Sequence, residues 1–307
     1  VKQPKSQQPD ASFPWRGLWQ MSRPIILASG GLAYAVGVAI AKYEGLPIAW
    51  ERQLLALTLT LLANLAAHYA DEYADADTDA LAVATGISGG SGAIASGLAT
   101  RTLALQAALV VSALTIVLGL GAVGSGLLPG VAGIILLVGL IGGWAYSMPP
   151  LALERHGWGE ITNALLGGLL MPLMAYATAG GTPPSSVYLQ LAPIVAAAMT
   201  CILGVHWADR TADAQVGKRT LAVILGPRLR WLWWGWIALA YLLPLMLTPH
   251  LVPPLVVSAI LLTLPLGLYV GMRATQTASP VPGGALMVGL MLAHTVGYWL
   301  SADRGGA

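Results

Sequence analysis

The stretch YLQLAPIVAAAMTCILGVHWADRTADAQVGKRT (Tyr188–Thr220) decides the fold. Its first part is apolar for about 20 residues, the length a helix needs to cross a bilayer. Its second part abruptly turns polar, with Asp209, Asp213, Lys218 and Arg219 in quick succession. A second segment, NLAAHYADEYADADTD (Asn64–Asp79), repeats the pattern at the end of another apolar run. Charged residues are only 9% of the chain, yet five of its 13 acidic residues (Asp71, Glu72, Asp75, Asp77 and Asp79) fall there. Carboxylates beside a bilayer are costly unless they hold a cation or face a polar cavity, so their placement at helix ends points to a site.

Outward from these segments the chain is adapted to lipid. Apolar residues make up 56%, and the 37 glycines suit close helix packing in a membrane bundle; mean hydropathy is +0.72. Nine stretches satisfy the length and polarity of a span, at 24–41, 52–70, 102–120, 127–147, 161–179, 188–208, 231–248, 252–270 and 284–301. The expectation is therefore an all-α integral membrane protein with nine transmembrane helices. A soluble domain competes poorly, because runs this long and frequent leave no aqueous face. Residues 1–22 read as a polar cytoplasmic arm carrying Trp15 and Trp19, and 23–307 as one transmembrane domain. The arm has no early apolar core of signal-peptide type, and a start at Val1 fits a numbering that omits an initiator methionine.

Basic residues set the orientation. With a cytoplasmic N-terminus, nine spans leave 12 of the 15 Lys and Arg inside and only Lys42, Arg52 and Arg304 outside, as the positive-inside rule requires. Both acidic segments then face the cytoplasm of a multi-pass cell-membrane protein. A net charge of +2 is too small to argue for nucleic acid and suits lipid headgroups or a bound phosphate better. The single cysteine, Cys201, excludes an internal disulfide and reads as a buried, inert thiol. The run WLWWGW (Trp231–Trp236) reads as an interfacial aromatic belt.

On a helix, Asn64, His68, Asp71 and Asp75 share one face, and so do His206, Asp209 and Asp213. Paired oxygen donors on two helix ends suit a hard divalent cation, above all Mg²⁺, which completes its shell with water and substrate phosphate. Lys218 and Arg219 are placed to hold the other side of such a phosphate. A solvated acidic loop and two ordinary interfacial histidines are the plainer alternatives. Asp77 and Asp79 are expected to face water. The loop GISGGSG (Gly86–Gly92) fits either a phosphate cradle of backbone N–H groups or a flexible connection.

These residues resemble the UbiA superfamily of intramembrane prenyltransferases, most of all its 1,4-dihydroxy-2-naphthoate polyprenyltransferase branch. DRTADAQVGKRTLAVILG (Asp209–Gly226) is similar to that branch's D-x-x-x-D motif and the G-K-R-T-L-A-V-x-L-G that follows. YSMPPLALERHGWGE (Tyr146–Glu160) resembles its Y-[ST]-x-x-P-x-x-L…G-x-G-E stretch, and SRPIILASG (Ser22–Gly30) its R-P-x-x-L opening. The resemblance implies a UbiA-type bundle that transfers an isoprenoid chain from a polyprenyl diphosphate to an aromatic quinone precursor with Mg²⁺. It implies catalytic and metal-binding roles for Asp71, Asp75, Asp209 and Asp213; Asn64 and His68, on the same helix face as the first pair, are expected to complete the metal set. Lys218 and Arg219 become diphosphate contacts, and Tyr146 with Ser147 part of the acceptor pocket.

The chain departs from that pattern at named places. Ala67 and His68 stand where the first motif opens with Asn-Asp, Ala84 stands where relatives carry Arg, and Val205-His206-Trp207-Ala208 replaces Asn-Asn-x-Arg. Histidine nitrogen suits softer metals than Mg²⁺. Three readings therefore stand: an active enzyme of quinone-precursor prenylation; a divergent member binding a quinone, isoprenoid or pigment as a subunit of a membrane complex; and a transferase for a distant acceptor such as a chlorin, a haem or a glycerol phosphate.

Overall fold

The computed structural model describes residues 14–82, 85 and 87–305. Most of the expected N-terminal arm, together with Ala84 and Gly86, lies outside the described residues. The described part of the arm forms helix α1 (Pro14–Met21), with Trp15 and Trp19 exposed. The main helices follow as α2 (Pro24–Tyr43), α3 (Trp50–Asp79), α4 (Arg101–Gly124) and α5 (Gly130–Ser147). A one-turn 3₁₀ segment at Leu153–His156 leads into α6 (Gly159–Leu165), a π turn (Leu166–Leu170) and α7 (Met171–Gly180). Then come α8 (Ser185–Gln215), α9 (Leu221–Leu225), α10 (Leu229–Leu247), α11 (Pro254–Leu261), α12 (Leu264–Arg273) and α13 (Val281–Gly305).

Local sequence explains the boundaries. Thr100 and Thr220 cap α4 and α9, each side chain accepting a backbone N–H three residues on. Pro24 and Pro254 open α2 and α11 at a position that has no N–H to satisfy. The chain from Gly159 to Gly180 acts as one span despite its π turn.

Among the described residues, seven helices are long and apolar enough to cross a membrane, or eight when the pair α11–α12, bent by 50°, counts as one span. The expectation of nine is thus not met on that criterion. The stretch expected at 252–270 is broken because Pro265 enters at the second residue of α12 and cannot continue the preceding helix. The stretch expected at 231–248 is the helix α10, but its four tryptophans and Arg230 dilute its apolar character. Trp231 points outward as a belt residue should, whereas Trp233 is buried and packs against Gly204 of α8.

Helix α8 is the central post. It packs against α10 and α13, and 72% of its apolar window is buried inside the protein, against 28% for α4 and for α5. Around it, α2 packs on α7 and α13, and α3 on α4 and α5. Leu109, Val110, Val117, Leu120, Ile134 and Ile141 are exposed on α4 and α5, as a lipid-facing surface requires. Close approach depends on glycine. A Cβ on Gly37 would sit 1.9 Å from the Pro172 carbonyl oxygen, and one on Gly168 2.7 Å from the Val195 Cα.

Candidate functional site

The C-terminal turns of α3 and α8 meet over one cavity of about 460 Å³. The α3 side supplies Asn64, His68, Asp71, Asp75 and Asp79, and the α8 side His206, Asp209 and Asp213. Tyr146, Glu154 and Lys218 complete the polar end, while Ala33, Met171, Ile202, Met287 and Met291 form apolar walls. The i, i+4 spacing read from the sequence thus does bring both acid pairs to one space.

The carboxylates are not equivalent. Asp71, Asp75 and Glu154 each present an oxygen within 4.8 Å of the others'. Glu154 Oε1 is buried without a hydrogen-bond partner. Burial and the neighbouring Asp75 push the Glu154 carboxyl well above the usual carboxylate range, against the pull of Lys218. Three hard oxygen donors, one of them buried and unpaired, fit a divalent cation. His68 is not in that group. Its Nδ1 lies 2.9 Å from the Ser22 carbonyl oxygen, so that nitrogen donates to backbone and is not a metal donor. Asp209 accepts the Gly89 N–H at 3.0 Å, and Asp213 lies 3.4 Å from the Thr220 hydroxyl, which donates to it.

Three cations interlock with the acids. Lys218 is buried and pairs with Asp75, with Glu154 at 3.2 Å. Burial alone would lower its pKa, but Glu154, Asp75 and Asp71 overcome that and raise it. Arg155 reaches Asp75 at 3.5 Å. Arg23 lies 2.6 Å from Glu72 and 3.2 Å from Asp71. Its backbone is left-handed at φ 48°, a strained state for a residue with a Cβ that such a double ion pair can hold in place.

Two expected substrate contacts fall elsewhere. Arg219 is exposed and does not line the cavity, because the turn after α8 sends consecutive side chains in opposite directions and only Lys218 turns in. Ser147 ends α5 fully buried outside the cavity wall, whereas Tyr146 lines it. Asp79, expected in water, faces the cavity under the Gly-rich loop: a Cβ on Gly90 would meet its carboxylate at 2.0 Å. Asp77 is solvent-exposed as expected. Cys201 also lines the cavity, so it is not sealed in the core.

The Gly-rich loop covers this end through Ile87, Ser88, Gly89 and Gly90. Gly89 and Gly90 have φ near +70°, a region open to glycine at little cost. Two of its N–H groups are already taken by the protein's own acids, Gly89 by Asp209 and Ser91 by Glu72 at 2.8 Å. Sequence reading assigned no role to Arg23, Glu72, Glu154 or Glu160. Arg23, Glu154 and Glu160 all stand inside the motif stretches quoted above, so the signal was position within those stretches rather than helical spacing.

The profile of the UbiA prenyltransferase family matches residues 31–296. No curated protein matches the sequence. Among solved structures, a UbiA homologue from Archaeoglobus fulgidus bound to DMAPP and Mg²⁺ superposes with TM-score 0.67 at 17% identity, covering 92% of this chain and 99% of that one. A digeranylgeranylglyceryl phosphate synthase gives 0.66 at 15% identity, with 94% and 99% covered. An apo UbiA homologue from Aeropyrum pernix K1 gives 0.67 at 16%, with 88% and 95% covered. At these identities the likeness speaks for the fold alone; the family match extends over most of the sequence, and the chain belongs to the UbiA prenyltransferase family.

Proposed function

We propose that this protein transfers an isoprenoid chain from its diphosphate to an aromatic quinone precursor of the 1,4-dihydroxy-2-naphthoate type, using Mg²⁺. The observation that carries the reading is the convergence of Asp71, Asp75, Glu154, Asp209 and Asp213 at one end of an apolar-walled cavity. Asp71, Asp75 and Glu154 would hold one ion, and Asp209 and Asp213 contribute to a second. When bound, the ions neutralise the diphosphate and assist its departure. The A. fulgidus homologue solved with GPP and Mg²⁺ supports that pairing of ligand and metal.

The protein's own residues do the rest. Lys218 brings a fixed positive charge to the diphosphate end, and the apolar walls keep water from the reactive prenyl carbon while the ring attacks it. Tyr146, which lines the cavity, is assigned to the aromatic acceptor. In the membrane, α10 and the bent α11–α12 pair complete nine spans, with the N-terminus and both acidic motifs cytoplasmic, as the basic-residue count supports. The tie of Lys218 to Asp75 and Glu154 favours a second reading, a binding subunit whose acids are permanently neutralised.

Purified protein in lipid with geranylgeranyl diphosphate, 1,4-dihydroxy-2-naphthoate and Mg²⁺ separates the two. Prenylated product by mass spectrometry that disappears with EDTA is the expected result. No product across several prenyl donors, acceptors and metals gives the binding subunit precedence, and the copurifying quinone or lipid then becomes the object of interest.

A further inference from the structure

One line of polar groups in the cavity wall is separate from the carboxylates that face the diphosphate. Glu160, the second residue of α6, is fully buried, and its Oε1 lies 2.8 Å from His206 Nδ1 on α8. The same oxygen accepts the Leu221 N–H at 2.7 Å. An ionised Glu160 can only accept, so His206 places an Nδ1–H on Oε1 and, as the neutral imidazole, presents a lone pair at Nε2. The Tyr146 hydroxyl lies 3.2 Å from that Nε2, and in this tautomer it is the hydroxyl that donates. Tyr146 and His206 line the cavity, while Glu160 stands behind them.

A purely structural link would not need this composition. Burying a charged carboxylate is costly, and the second oxygen, Glu160 Oε2, has no partner at all. What the ion does supply is a fixed imidazole tautomer and a counter-charge for an imidazolium, the division of labour of a carboxylate–histidine–hydroxyl chain.

We propose that Tyr146, His206 and Glu160 form a proton relay that activates a hydroxylated aromatic acceptor; the proposal rests on the prenyl-transfer reading above. The acceptor O–H breaks and its proton passes to the Tyr146 oxygen, while the Tyr146 proton passes to His206 Nε2. Glu160 holds the resulting imidazolium. The electron pair of the acceptor, now an aryloxide, forms the bond from a ring carbon to C1 of the prenyl chain. The C1–O bond breaks with its pair going to the diphosphate. The relay then returns its proton to the ring oxygen of the keto tautomer as the ring C–H proton leaves with the diphosphate. Tyr146 is the catalytic residue in this scheme, and His206 and Glu160 are positioning residues.

The test compares two naphthol acceptors, one of ordinary acidity and one made electron-poor so that it is already ionised at the assay pH. Both are run with geranylgeranyl diphosphate and Mg²⁺ on wild type, Tyr146→Phe, His206→Gln and Glu160→Gln. The relay predicts that each variant loses on the order of a hundredfold in kcat on the ordinary naphthol. On the pre-ionised naphthol the loss shrinks to about threefold, because the proton to be taken is already gone. The ratio of the two rates within one preparation cancels any difference in folded fraction. Equal losses on both acceptors overturn the relay and leave a structural link. Release of diphosphate from the donor in the presence of acceptor is measured alongside. Wild type that releases none removes the transfer reaction and the relay with it, whereas release accompanied by equal losses removes the relay alone.

Discussion

Replacing Lys218 by Met removes a buried ammonium from between Asp75 and Glu154 and leaves the two carboxylates facing each other. At 3.2 Å from Glu154, with an effective dielectric of about 20, the lost attraction is about 5 kcal/mol for that partner alone. Part of this is returned because the lysine no longer needs desolvation. Breaking a buried pair from one side typically costs about 3–5 kcal/mol, which we take as the expected destabilisation. In detergent with EDTA the variant should melt lower by on the order of 10 °C, followed by tryptophan fluorescence. Excess Mg²⁺ should recover at least half of that, because the same carboxylates that held the ammonium can hold the ion. Wild type should gain less from Mg²⁺ than the variant does. An equal Mg²⁺ response in both proteins, or no loss in EDTA, would refute the idea that lysine and metal answer to one set of oxygens.

Three further outcomes follow from the same geometry. Asp71→Ala or Asp209→Ala should cut prenylated product by about two orders of magnitude or more, and undiminished product in either would remove the metal assignment on that helix. His68→Asn keeps an N–H for the Ser22 carbonyl, so the Mg²⁺ concentration for half-maximal turnover should stay within about threefold; a large increase would make His68 a ligand after all. Glu72→Ala strips the nearer of two acid partners from Arg23 and the anchor from Ser91, at a cost of about 3 kcal/mol. Hydrogen exchange should then speed up across residues 87–92, and unchanged protection there would show that the loop is held by other means.

The membrane character and both acid-bearing helix ends were legible because each rests on a run longer than a turn. Twenty apolar residues and an i, i+4 repeat survive whatever the tertiary structure does. Glu154 was not legible. It sits in a single 3₁₀ turn between two spans, where no period exists, and only the packing of that turn against α5 and α6 brings it beside Asp75. Asp79 and Arg219 failed for the opposite reason. Asp79 reads as solvated at its helix end and Arg219 as a phosphate contact beside Lys218, yet the Gly-rich loop closes over the first and the turn after α8 directs the second outward. The span count is less legible because hydropathy averages over composition: Pro265 breaks one run, and a tryptophan-rich helix is less apolar than its length suggests, so seven or eight spans among the described residues pass on length and apolarity.

The π turn at Leu166–Leu170 bears on how this chain can change over generations. It carries one residue more per turn than the helix around it, with Asn163, Leu166 and Gly167 at the cavity and Gly168 against α8. Deleting one residue there would relax it to ordinary helix and shorten the span hardly at all. The half from Met171 to Gly180 would keep nearly its present face, because the wide turn absorbs one extra residue without the roughly 100° that each α-helical residue adds. The same deletion elsewhere in the span would turn that half by about 100°, taking Pro172 from Gly37 and Met171 from the cavity. A single-codon deletion is therefore a frameshift in three dimensions along most of this span, and the wide turn is where the segment can lose a residue and keep its faces.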